Sequence, residues 1–266
     1  MVAIDRPLMA EIMRQNRAVL AKIPNWIEDA DYEGSIFHYG LPRQIRPFIN
    51  RPIGEEMTYS DLIAYFARGL KAPVRYFELG VSVGKNFFQM LPQLKGADIV
   101  VLDIEDIIED INPVLERVLD KRSSVEWETM AESLRKRPSR LTEYSFAANN
   151  NRVRYLAGDV FDEASWQRLA GEKFNLVFSD AYHSGDALIR EWEKLKRFEL
   201  LDAREFTMLW DDLDSPEMQS AFAQIVAEMQ TLYGVAREDC GIGRAHGWIG
   251  PHEPPHQVGL VVKRAS

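Results

Sequence analysis

Cysteine is almost missing: Cys240 is the one thiol in 266 residues. That excludes an internal disulfide framework and any thiolate zinc cage, and it fits a reducing, cytoplasmic setting. Long apolar runs are lacking as well. No stretch approaches the ~20 consecutive apolar residues that cross a bilayer. The opening Met1-Val-Ala-Ile-Asp5-Arg6-Pro7 has no signal-peptide core, so no membrane partner is expected. Positive charge is scarce: 32 Lys and Arg against 41 Asp and Glu leave a net charge of −9. A phosphate backbone would be repelled by such a surface, so nucleic acid is not expected as a partner. The basic stretch Arg135-Lys-Arg-Pro-Ser-Arg140 reads as a solvated helix end. Internal repeats and low-complexity segments are also missing.

What remains is ordinary globular composition, 46% apolar and 27% charged, in a chain long enough for one large α/β domain with a smaller appendage. Residues 1–57 read as a helical and irregular cap. Leu8 to Ile23 has amphipathic spacing, and Trp26 to Arg51 is aromatic and basic, with Phe37, His38, Tyr39, Arg43 and Arg46. That second stretch either covers a substrate or packs on the sheet. Residues 58–266 read as the main domain. Thr58-Tyr-Ser60-Asp61 opens a helix over Leu62 to Leu70. Short apolar strands are then predicted at Val74–Leu79, Ile99–Asp103, Val153–Gly158, Phe174–Asp180, Phe206–Trp210 and Gln257–Lys263, with helices between most of them. Ser215-Pro216 starts one helix and Gly234 stops it. The span from about 106 to 150 is too long for one crossover. A helical insertion is predicted there around Val114 to Phe146, closed by the turn Asn149-Asn150-Asn151. The pattern predicts a Rossmann-like, doubly wound α/β fold: a mostly parallel seven-stranded sheet with helices on both faces and a helical N-terminal segment.

Ligands of such sheets sit beyond the carboxyl ends of the strands. There the chain places Glu78-Leu-Gly80-Val-Ser82-Val-Gly84, a carboxylate followed by a tight glycine turn into a helix. A carboxylate at that point suits a cationic amino-acid group better than a pyrophosphate, which it would repel. Asp103 ends the second strand, where an acid reaches the ribose hydroxyls of an adenosine cofactor. Asp159 follows the third strand and is either a turn residue or a neighbour of adenine, with Val160 or Phe161 against the ring. Asp180 ends the fourth strand and Asp211-Asp212 the fifth. Capping could account for two or three of these acids, but not readily for all.

These motifs, with Val101-Leu-Asp103, Gly158-Asp159 and Phe178-Ser-Asp180-Ala-Tyr-His183, resemble the class I S-adenosylmethionine-dependent methyltransferases over about residues 58–263. The resemblance implies Glu78 and Gly80 near the methionine part, Asp103 at the ribose and Asp159 near adenine. Ser82 stands where a middle glycine is common, and its hydroxyl could bond the cofactor.

Asp180 with Asp211 and Asp212 is similar, further, to the acidic trio of metal-dependent small-molecule O-methyltransferases. Three close carboxylates repel unless protonated or bridged by a cation, and an all-oxygen set suits Mg²⁺. Such an ion would orient a substrate hydroxyl and lower its pKa. The alternative for Asp211 is a salt bridge, and for Asp212 a turn cap. His183 is either a general base or a wall of the pocket. The loop from Cys240 to His256 carries His246, His252 and His256 among glycines and prolines; these could suggest a transition-metal site, but their spacing matches no familiar cage, and the loop reads as a long connection, a lid or a dimer contact.

The activity these motifs predict is methyl transfer to a hydroxyl oxygen of a small molecule, for instance a secondary metabolite. Alternatives are a metal-independent N- or O-methyltransferase with His183 as base, an NAD-dependent oxidoreductase, or a non-catalytic subunit of the same fold. Glu78 beside the turn and the lack of a Tyr-x-x-x-Lys pair after strand four argue against the oxidoreductase. A homodimer is compatible with the aromatic cap.

Overall fold

The computed structural model describes residues 4–22, 53–82, 84–104, 126–129, 142–247 and 250–265. The stretch 26–51 and the basic run at 135–140, both singled out above, lie outside the described residues.

Helix α1 (Arg6–Leu20) starts where the Asp5 side chain accepts from the Leu8 amide, and it turns Met9, Ile12, Asn16 and Val19 inward at helical spacing. Helix α2 (Tyr59–Gly69) opens with a capping box: Thr58 Oγ1 accepts from the Asp61 amide while Asp61 accepts from the Thr58 amide. Asp61 also ties the two helices together. Its buried carboxylate accepts from Asn16 Nδ2 at 2.8 Å and from Arg17 at 2.8 Å, while Gln93 Nε2 donates to Asn16 Oδ1 at 2.9 Å. The cap helix is thus pinned to α2 and, through Gln93, to α3 (Lys85–Gln93).

Next come strands β1 (Arg75–Leu79), β2 (Asp98–Asp103), β3 (Glu126–Thr129), β4 (Thr142–Ala148), β5 (Asn151–Ala157), β6 (Leu176–Ser179), β7 (Phe206–Trp210), β8 (Cys240–Ala245) and β9 (His256–Lys263). Further α-helices among the described residues are α4 (Glu163–Gln167), α5 (Gly185–Arg197) and α6 (Pro216–Tyr233). One nine-stranded sheet results, in the order β3-β4-β5-β2-β1-β6-β7-β9-β8. The strands β5-β2-β1-β6-β7 are parallel and carry the doubly wound order, which reverses between β1 and β6. Alternation along β1 sends Tyr76 into the core under α1 to α3, and Phe77 and Leu79 into the core under α4 to α6. Both faces are therefore covered, as a buried parallel sheet requires. The start of α6 at Ser215-Pro216 and its stop at Gly234, φ +63, match the sequence reading.

Two expectations are corrected. The predicted helical insertion reached Phe146, but Thr142–Ala148 is a strand paired antiparallel with β5. The reason is visible in its residues: Tyr144, Phe146 and Ala148 are buried while Glu143, Ser145 and Ala147 are only half-buried, a period of two. Asn149 and Asn150 close the hairpin with φ of 54° and 62°, the left-handed pair that a two-residue turn of matching twist needs. Glu126–Thr129, also inside the predicted helical insertion, is a strand paired antiparallel with β4, and 105–125 and 130–141 lie outside the described residues. The second correction concerns the expected connection after residue 240. Cys240–Ala245 pairs antiparallel with β9, from Cys240↔Val261 to Ala245↔His256. Gly241 and Gly243 hid this strand, since glycine is depleted in strands, but here it lies at the sheet edge. Among the described residues the sheet has nine strands rather than seven.

Candidate active site at the switch point

At the reversal point the ends of β1 and β6 meet. Gly80 has φ +82, and a Cβ there would lie 2.2 Å from the Asp180 carbonyl oxygen. The Gly80 amide donates to Leu102 O at 2.9 Å, and the Asp180 amide donates to Leu79 O at 2.8 Å. Glycine is thus required by the neighbouring strand end, before any ligand is considered. The turn goes on through Ser82, φ +49, to Gly84, φ +78. Gly84 caps α3 with no side-chain bond to its first amides.

Glu78 and Tyr76 share one face of β1. Tyr76 Oη donates to Glu78 Oε2 at 2.9 Å and accepts from Asn86 Nδ2 at 3.1 Å. Burial pushes the Glu78 carboxyl up to about 8, against the bonds from Asn86 and Tyr76 that favour its charged form. Asp103 does something the sequence did not reveal: its Oδ2 accepts from the Val81 amide at 2.5 Å and the Ser82 amide at 3.0 Å. It ties the turn to β2.

Asp159 accepts from the Phe161 amide at 2.8 Å, a short Asx turn. Val160 is buried in the core, its carbonyl accepting from Trp166 Nε1 at 2.7 Å. The aromatic presented outward is Phe161, edge-on to Tyr182 at 5.5 Å with the Arg190 guanidinium over its ring.

Next to Gly80 stands a cluster of acids and imidazoles. His183 Nδ1 lies 2.5 Å from Asp212 Oδ2, and His183 Nε2 lies 3.9 Å from Asp180 Oδ1. His256 Nδ1 lies 2.8 Å from Asp211 Oδ2 and 3.1 Å from Asp212 Oδ1, with Nε2 3.3 Å from Glu253 Oε1. Asp212 holds φ +56, a left-handed backbone uncommon outside glycine, and its two oxygens face the two imidazoles. Asp211 is buried and its Oδ1 has no hydrogen-bond partner among the described residues. Burial and the charge of Asp211 raise the Asp180 carboxyl well above the usual range. Burial raises Asp211 too, while its bond to His256 pulls the other way. Asp212 goes down despite its burial, through the hydrogen bond from His183. His183 rises to about 9 through that same bond, and His256 to about 12 against its burial, through Asp211 and Glu253.

Among the described residues, two sets of three bring their ligand atoms within 4.8 Å of one another: Asp180 with His183 and Asp212, and Asp211 with Asp212 and His256. The predicted acids do come together, then, but in two sets sharing Asp212, each completed by a histidine. His256 and Glu253 were missed as site residues. Their signal was the strand that His256 begins: with Trp210 opposite Gly259, antiparallel pairing runs the residues before Gly259 past Asp211 and Asp212. Tyr59 was missed also. The first residue of α2, it is buried, 5.0 Å ring to ring from Phe178 and 6.3 Å from His256. It brings the N-terminal helices to the site.

No family model matches the chain, and no curated protein matches it in sequence. Solved structures are similar in fold. A Klebsiella pneumoniae protein named as a candidate O-methyltransferase is 12% identical, with a TM-score of 0.49 over 100% of this chain and 93% of that one. An O-methyltransferase from Bacillus cereus in complex with SAH is 15% identical, TM-score 0.47, over 99% and 94%. The O-methyltransferase TomG from Streptomyces achromogenes, in complex with SAM, is 15% identical, TM-score 0.46, over 90% and 94%. These likenesses are loose, and the chemistry is read from the site itself.

Proposed function

We propose that the chain is an S-adenosylmethionine-dependent methyltransferase acting on a hydroxyl oxygen of a small molecule, with a divalent cation at the acid cluster. One observation carries the reading: Gly80 packs directly on the carbonyl of Asp180, so the cofactor turn and the acid–imidazole cluster are next to each other. A methyl donor seated over the turn has its reactive end beside the place where an acceptor oxygen can be held.

The residues of the turn fit the donor. Glu78 offers a buried carboxyl to a cationic amino group, and the start of α3, where the N-cap is Gly84 and has no side chain of its own, suits a carboxylate. Asp103 meets the ribose from the position where it also anchors the turn. When bound, the cofactor would supply an electrophilic methyl group to an acceptor oxygen, and the acceptor's proton would pass to a base or to water.

The cluster fits a cation by its chemistry: several carboxylates converge, and the buried Oδ1 of Asp211 lacks a partner among the described residues. Asp180, Asp211 and Asp212 are the acids in question, and Mg²⁺ is the ion that oxygen ligands alone would choose. A second reading is favoured by one contact, the 2.5 Å approach of His183 Nδ1 to Asp212. An acid holding one imidazole nitrogen leaves the other to take a proton, so His183 would be a metal-free general base.

The test is calorimetry with S-adenosylhomocysteine and with NAD. Micromolar binding of the first and none of the second is expected; the reverse would end the methyltransferase reading.

A further inference from the structure

We infer that His183 binds the cation directly through Nε2, with Asp180 as its neighbouring ligand and Asp212 holding the imidazole from behind. The site then takes a borderline divalent ion such as Mn²⁺, Co²⁺ or Zn²⁺ ahead of Mg²⁺. This deepens the cation-assisted reading above and rests on it.

His183 Nε2 and Asp180 Oδ1 are 3.9 Å apart. Two ligands of one first-row ion, each with a bond of about 2.1 Å, stand roughly 3 to 4.2 Å apart. The other ring nitrogen, Nδ1, lies 2.5 Å from Asp212 Oδ2. A carboxylate that holds one nitrogen while the other meets a metal is the usual support of a histidine ligand, since it fixes both tautomer and ring orientation. Asp212 is itself fixed. Its second oxygen faces His256, which also reaches Asp211 and Glu253.

Access separates the two candidate sets. The side chains of Asp180, His183 and Asp212 are 20%, 48% and 31% exposed, so an acceptor can reach them. Asp211 is 2% exposed and His256 19%, and they are already engaged with each other. Asp211 supplies the independent sign that something positive is wanted. Its Oδ1 is buried without a partner among the described residues, and the Asp211 charge is felt by Asp180. A cation beside Asp180 would offset the charge that Asp180 feels.

The donor set then decides the ion. Mg²⁺ demands hard oxygen ligands in near-ideal octahedral geometry. Imidazole favours the later first-row ions, whose affinity for nitrogen sites rises along the series.

The experiment is pulsed electron paramagnetic resonance of Mn²⁺ added to the full chain, read for a directly coupled ¹⁴N nucleus. Coupling is expected in the wild type, lost in His183→Gln and kept in His256→Gln, with tenfold Mg²⁺ leaving the Mn²⁺ signal in place. Circular dichroism checks that both variants fold. Bound Mn²⁺ without nitrogen coupling would overturn the inference and leave the oxygen-bound cation standing. Coupling that survives His183→Gln and disappears in His256→Gln would overturn it by placing the ion in the other set. Failure of Mn²⁺ and Zn²⁺ to bind at all would remove the inference and the cation together. Adenosylhomocysteine calorimetry on the same samples reports separately on the methyltransferase reading.

Discussion

Tyr76 Oη donates to Glu78 Oε2 at 2.9 Å inside a closed layer of core, so the carboxyl that faces the cofactor turn has its hydrogen bonds supplied by the protein and almost no water. Burial raises its pKa from 4.5 to about 8. At pH 7 the free protein therefore holds Glu78 mostly protonated. A bound ammonium group favours the charged form, so cofactor binding should release a proton. Calorimetry of S-adenosylhomocysteine in buffers of different ionisation enthalpy should show release of a large fraction of one proton at pH 7 and little at pH 9. Glu78→Gln should abolish the release, and a buffer-independent enthalpy in the wild type would count against this role of Glu78.

The same group sets a stability trend. Its folded pKa lies above the unfolded value, so the stabilising difference is full below about 4.5 and is lost as pH rises through about 8. Every tenfold difference in proton affinity between the folded and unfolded chain is worth about 1.4 kcal/mol. Urea titrations should show wild type losing stability relative to Glu78→Gln between pH 5 and 8, with the gap constant above that.

Asp103→Ala removes the acceptor of two turn amides at once. A charge-assisted bond is worth about 1.5–3 kcal/mol, which predicts adenosylhomocysteine binding weaker by about ten- to a hundredfold. An unchanged dissociation constant would show that neither the turn nor the ribose depends on this acid.

Gly80→Ala should be among the most damaging single changes. The added methyl would meet the Asp180 carbonyl oxygen at 2.2 Å on a backbone with φ +82, where neither strand end has room to give. Loss of soluble, folded protein is expected, seen by circular dichroism and gel filtration. Gly96→Ala is the control, because its Cβ meets nothing within 4 Å. It shares the positive φ, at +67, and should cost only the local backbone strain.

The pinning of the cap is testable through Asp61. Asp61→Ala leaves Asn16 and Arg17 facing a void, and breaking a buried pair costs about 3–5 kcal/mol. Arg17 keeps some exposure, so the low end is expected. Because Tyr59 belongs to the same helix as Asp61, adenosylhomocysteine affinity should fall with the stability. A variant with lowered denaturation midpoint and unaltered affinity would uncouple the cap from the site.

Much of the fold was legible because buried parallel strands write themselves as short apolar runs, and β1, β2 and β7 fall where Val74–Leu79, Ile99–Asp103 and Phe206–Trp210 predicted them. The strands that escaped notice, β3, β4 and β8, all pair antiparallel. β4 is only half apolar, and β8 carries glycines at alternate positions, so neither stands out from a helix or a loop. In the site, Glu78, Asp180, Asp211 and Asp212 were legible as strand-end acids. His256 was not, because what makes it a site residue is the antiparallel return of β9 along β7, a long-range pairing no local pattern encodes. Asp103 was found for its position, while its bonds to the Val81 and Ser82 amides were not foreseen.

The order β7-β9-β8 also bears on assembly during synthesis. β8 leaves the ribosome before β9, which is its ladder partner among the described residues, and β7 borders β9 on the other side. Until β9 inserts, β8 lacks the partner it has among the described residues and β7 shows a bare edge to any chaperone nearby. His256 is the first residue of that inserting strand. The clamp on Asp211 and Asp212 therefore snaps shut in the same event that seals the sheet, so a nascent chain without its sheet closed also lacks a finished acid cluster.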